Sequence, residues 1–141
     1  MDPHQVRLVQ DSFARARKIA PHLTATFYRE LFAIDPALRP LFKGDIIAQS
    51  RKLMAMLTQL VERLDTPEEI LPAVRELGAR HVGYGVIEPR QYAAVGTALL
   101  RTLRHELGAD LSAEAREAWA AAYKMLSEEM RAAGQARQRS A

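Results

Sequence analysis

The chain has 141 residues, a formal charge of +3 and a sequence pI near 9.5. Arg131, Arg137 and Arg139 carry the whole excess, because residues 1–130 hold 17 basic and 17 acidic side chains; a balanced body removes the main reason to expect the basic stripe of a nucleic-acid-binding face. With no cysteine, disulfides, thiolate metal sites and Cys nucleophiles are excluded.

The length predicts one domain with a substantial buried core. The start, Met1-Asp2-Pro3-His4, lacks the basic-then-apolar order of a signal peptide. The uncharged stretch from Gln91 to Leu100 is far short of the roughly 20 residues that span a bilayer. The expectation is a cytoplasmic protein that engages neither membrane nor nucleic acid.

Proline is tolerated in a first helical turn, where its missing N–H would be unpaired anyway. Pro3, Pro21, Pro36, Pro67 and Pro89 therefore read as helix openings, with Thr66 and Glu69 as a capping box and Ser112 as a further cap. Apolar residues between these signals recur at three- and four-residue steps. Val6, Val9 and Phe13 form the first stripe, followed by Ile46, Leu53, Leu57, Leu60 and Leu64, then Leu99, Leu103 and Leu107, and last Ala118, Trp119 and Ala122. No segment shows the alternation of a strand. The prediction is an all-α fold of about seven helices at 3–18, 21–33, 36–41, 46–64, 67–81, 89–107 and 112–132. Residues 1–133 form the domain, and 134–141 a basic, disordered tail.

Polar side chains that interrupt apolar stripes are the candidate functional residues. His81 lies four residues after Leu77 and seven after Val74, so it continues the inner face of its helix. It is either a buried histidine satisfied by a backbone carbonyl or a metal ligand. No histidine pair has HxxxH or HExxH spacing, so a protein-only zinc site is not expected; one inward histidine suits a metal held otherwise by a macrocycle. Gln49 falls on the stripe between Ile46 and Leu53, either facing the core, where its amide needs partners, or pointing to solvent. Tyr28 stands among Phe27, Leu31 and Phe32, where a buried phenol seeks a partner and an ordinary core tyrosine is the alternative.

The order of features resembles the bacterial globins, in particular the haem domain of flavohaemoglobins, and is also similar to neuroglobin-like chains. The resemblance spans about residues 3–130. It is carried by Phe27 to Phe32 followed by Asp35-Pro36 and Leu41-Phe42, by Gln49 to Met54, by Leu77-Gly78-Ala79-Arg80-His81, by Gln91-Tyr92 to Gly96, and by Ala118-Trp119 to Tyr123. It implies a 3-over-3 helical sandwich binding haem b (iron protoporphyrin IX), with His81 as the axial iron ligand and Phe42 flat against the macrocycle. Tyr28 and Gln49 would donate hydrogen bonds to bound O2, CO or NO, giving high O2 affinity and slow release. Leu53, Leu77 and Val95 would wall the pocket, and Lys52, Arg80 and Tyr84 would meet the propionates or the rim. Flavohaemoglobins tie the axial histidine to a tyrosine and a glutamate; Tyr92 matches the tyrosine, whereas the glutamate position falls at Gly134, with Glu128 and Glu129 lying earlier. The implied functions are reversible O2 binding, NO dioxygenation served by a separate reductase, or gas sensing through a partner. The expected assembly is a monomer or weak homodimer.

Overall fold

The computed structural model describes residues 1–140. Six α-helices and two short 3-10 helices make up its regular structure, with no strand among the described residues. They are α1 (Pro3–Arg17), α2 (Ala20–Ile34), a 3-10 helix (Pro36–Leu41), α3 (Ile46–Glu62), α4 (Pro67–Gly83), α5 (Pro89–Leu107), a 3-10 turn (Gly108–Asp110) and α6 (Ala113–Ser140). All five predicted prolines stand in the first turn of their helices.

Capping explains where the helices begin. Asp2 and Gln5 form a reciprocal box at α1, Asp45 accepts the Ile47 N–H at α3, and Ser112 accepts the Ala115 N–H at α6. The Thr66–Glu69 box takes a different form. The Thr66 hydroxyl donates to the Glu69 carboxylate at 3.2 Å instead of accepting a backbone N–H. The Glu69 N–H bonds the Thr66 carbonyl at 2.9 Å, and Glu68 and Glu69 add a favourable field in the first turn of α4.

Packing divides the interior into two clusters. The larger joins α1, α3, α4, α5 and α6 through Val9, Phe13, Val74, Leu103, Ala118 and Trp119. Within it the Trp119 indole N–H donates to the Ser12 hydroxyl at 2.8 Å. The smaller cluster lies where α2 meets α5, centred on Phe27, Tyr28, Leu31 and Ala98.

The α4–α6 pair is the most intimate helix contact and fixes the end of α4. A Cβ on Gly78 would lie 2.2 Å from the Met130 carbonyl oxygen, so the two backbones touch directly. Gly134 continues the same seam one turn later: a Cβ there would meet the Gly78 carbonyl oxygen at 3.3 Å.

This seam corrects the tail prediction. Helix α6 continues to Ser140 instead of ending near 132, and Gly134 is buried within it. Ala132, Ala133, Gln135, Ala136, Arg137, Gln138 and Arg139 are good helix formers, which lets an already docked helix extend without a break. Ala141 lies outside the described residues. No helix is long and apolar enough to cross a membrane among the described residues.

Candidate functional site

His81 stands in the last turn of α4, and its Nδ1 lies 2.7 Å from the Leu77 carbonyl oxygen one turn earlier. A carbonyl can only accept, so Nδ1 carries the proton and Nε2 is left as the lone-pair donor. Burial lowers the pKa of the ring and Arg80 lowers it further, while the Leu77 hydrogen bond works in the opposite direction. The imidazole is thus biased toward the neutral form that a metal requires. Its orientation is fixed from two sides by Tyr84, edge-on at 5.5 Å, and Tyr92, at 6.4 Å between ring centres.

Four aromatic residues form a second focus. Tyr28 from α2 is 5% exposed and packs edge-on against Phe27 at 5.2 Å and against Phe42 at 5.5 Å. Phe32 stacks on Tyr28 and meets Phe42 edge-on. Phe42 follows the 3-10 helix, whose start is capped by Asp35 and braced by the Arg90–Asp35 ion pair from α5. Helix α3 then presents Gln49 to Tyr28. Burial pushes the Tyr28 phenol up to about 12, and the Gln49 side chain draws it back slightly. Tyr28 therefore stays a protonated donor, with the Gln49 amide as its polar neighbour.

Helix α5 links the two foci. Tyr92 faces His81, while Val95 and Leu99, three and seven residues on, join the Tyr28 cluster together with Ile46 and Leu53. Phe42, Leu53, Val95 and Leu99 are only partly buried, giving an apolar wall beside the Tyr28–Gln49 pair. Leu77 contributes its carbonyl to His81. Lys52, Arg80 and Tyr84 are exposed; Lys52 and Arg80 enter no ion pair among the described residues.

No group of three or more His, Asp or Glu residues could hold a metal ion among the described residues. One oriented imidazole beside an apolar, aromatic wall instead fits an iron whose equatorial ligands come from a macrocycle. Further, no carboxylate pairs with His81 among the described residues. Glu129 pairs with Arg75 at 3.3 Å, and the charge acting on Tyr92 is that of Arg131. Sequence reasoning missed Ile46 and Leu99 as site walls because they sit on stripes that also serve the core. It also missed Arg131, which reads as part of a basic tail.

The Globin family model matches residues 25–130. The flavohemoprotein of Bordetella parapertussis is 32% identical over 131 residues, covering 91% of this chain and 32% of the relative. That of Pseudomonas aeruginosa is 35% identical over 113 residues, 75% of this chain and 28% of its own length. The chain thus spans about a third of the curated relatives it matches. Among solved structures, a proposed nitric oxide dioxygenase of Rhodothermus marinus, engineered as a carbene transferase, superposes with a TM-score of 0.84 at 26% identity, over 96% of this chain and 94% of that one. A bacterial globin from Campylobacter jejuni has the same fold, with a TM-score of 0.82 at 22% identity over 95% of this chain and 96% of that one.

Proposed function

This chain belongs to the globin family, and on that footing we propose that it binds haem b through Nε2 of His81 and uses it to bind O2, CO and NO reversibly. The observation that carries the reading is the His81–Leu77 hydrogen bond, which fixes the tautomer and leaves one aimed nitrogen. When bound, haem supplies an iron with a free coordination position for a diatomic gas. Phe42, Leu53, Leu77 and Val95 would wall the macrocycle, and Lys52, Arg80 and Tyr84 would meet its charged edge.

Tyr28 and Gln49 hold the polar half of the pocket. With its phenol pushed up to about 12, Tyr28 stays protonated across the physiological range and offers its O–H as a hydrogen-bond donor to the gas ligand. Gln49 donates through its amide and, unlike a histidine, is no strong iron ligand, so the ferrous centre is expected to be five-coordinate. Each donated bond in this dry surrounding stabilises the ligand by about 1.5 kcal/mol. Tyr28→Phe should therefore speed O2 release about tenfold in stopped-flow displacement by CO, and an unchanged rate would remove Tyr28 from this role.

The names of the relatives favour a second reading, NO dioxygenation. One O2, one NO and one electron make one nitrate, so this reading requires a reductase to supply the electron. Against rapid turnover stands the absence of a carboxylate at His81 among the described residues, since an anionic imidazole is what promotes O–O chemistry. Sustained NO consumption with a flavin reductase and NADH would establish the enzyme. A single turnover followed by arrest would leave the gas-binding role alone.

A further inference from the structure

A separate cleft of about 340 Å³ lies between α5 and α6, and the gas chemistry above makes no use of it. Its size is at the lower end of small-molecule sites. Tyr92 lines the cleft and is only 6% exposed. The Tyr92 carbonyl accepts a hydrogen bond from the Tyr123 hydroxyl, but the Tyr92 hydroxyl itself has no partner among the described residues. No fully buried side-chain oxygen is left unpaired among those residues, so this hydroxyl is within reach of solvent. A phenol that opens on solvent without a protein partner can donate to an incoming acceptor.

The wall contributed by α6 carries Lys124, Glu128 and Arg131 at steps of four and three residues, so all three share one face. None of them is in an ion pair among the described residues. Arg131 is close enough to Tyr92 to oppose the rise that burial imposes on its phenol. Two cations against one carboxylate leave the cleft with a single positive charge, the complement of a monoanion. A guanidinium fork matches the two oxygens of a planar carboxylate with two parallel N–H···O bonds.

We propose that the α5–α6 cleft binds a small monocarboxylate, held by the Arg131 guanidinium and the Tyr92 hydroxyl, with Lys124 adding to the field and Glu128 excluding more highly charged anions. Through the Tyr92 ring the occupied cleft abuts His81, so the site lies where a metabolite could be sensed by the metal centre.

The probe is acetate, titrated at constant ionic strength into the full-length protein in its reduced, CO-bound state, so that acetate meets no open iron. NMR signals of the Tyr92 ring and the Arg131 side chain report occupancy. The same titration on protein without haem keeps this site independent of the gas-binding reading, because α5 and α6 alone build it. The expected result is a saturable shift with millimolar affinity. Arg131→Ala should weaken it about tenfold, Tyr92→Phe about threefold, and Glu128→Gln should tighten it. Arg131 and Glu128 are not core residues, so these two variants carry the test even if Tyr92→Phe does not fold. Unsaturated linear shifts, an Arg131→Ala curve identical to the parent's, or equal binding of inorganic phosphate would each overturn the assignment.

Discussion

His81→Ala is expected to abolish stable haem retention. Losing a partner of a metal ligand typically costs about 10–100-fold in affinity, and losing the ligand itself should cost more. Apolar walls would still attract the macrocycle, so weak, spectrally heterogeneous uptake is the expected remnant. Free imidazole should restore a single species, because it supplies the missing nitrogen to a cavity of its own shape. His105→Ala is the matched control: His105 is exposed, so haem transfer to an acceptor globin should proceed at the parent's rate. Retention by the His81→Ala variant equal to the parent's would move the ligand elsewhere. The effect is large because no other residue offers a comparable donor: His4 pairs with Glu114 at the surface, and His22 is exposed.

Gly78→Ala is the second large effect, and its sign runs against helix propensity. In an open helix interior the change would stabilise by about 1 kcal/mol. Here the new methyl would lie 2.2 Å from the Met130 carbonyl oxygen and 2.5 Å from the Met130 Cα. Backbone atoms cannot rotate aside, so α4 must lift from α6. Overpacking of this kind costs about 1–3 kcal/mol, a fall of roughly 3–10 °C in Tm for a domain of this size. Because His81 lies three residues further along α4, haem affinity should fall with stability. Gly83→Ala gives the contrast within the same helix, since a Cβ there meets nothing within 4 Å. It should leave Tm unchanged or raise it. If both variants behaved alike, the direct backbone contact of α4 with α6 would be wrong.

The two glycine positions illustrate what the sequence made legible. Proline placement located the helix openings, and apolar periodicity indicated the all-α fold. Periodicity could not say that Gly78 meets a backbone, since that depends on how two distant helices cross. The same limit explains α6. Arg137 and Arg139 with their neighbouring glutamine and alanine residues have a composition that suits a solvated tail or a helix equally, and only the docking of Gly134 on α4 decides between them. Thr66 shows the limit at shorter range, where a capping pattern was satisfied by a side-chain pair without closing on the backbone.

The candidate site was legible in its residue types more than in its wiring. Tyr28, Phe42, Leu53 and Val95 meet in one cluster, and Gln49 lies beside Tyr28, one of the two directions that its interrupted stripe left open. The surroundings of His81 were less accessible. A tyrosine beside the imidazole could be anticipated at position 92, but Arg131, fifty residues from His81 in sequence, reaches Tyr92 only because α6 runs alongside α5. This cation stands near the tyrosine that flavohaemoglobins pair with a glutamate. The expected consequence is a neutral imidazole at the iron and a protein that holds gases more readily than it activates them.

The most direct test of the account is the absorption spectrum of the purified protein in its ferric, ferrous and ferrous–CO states. A red protein is predicted, with a broad five-coordinate ferrous spectrum and a Soret band that shifts and sharpens when CO is added. A colourless chain that takes up no haem on reconstitution, or a ferrous spectrum already six-coordinate and indifferent to CO, would contradict it.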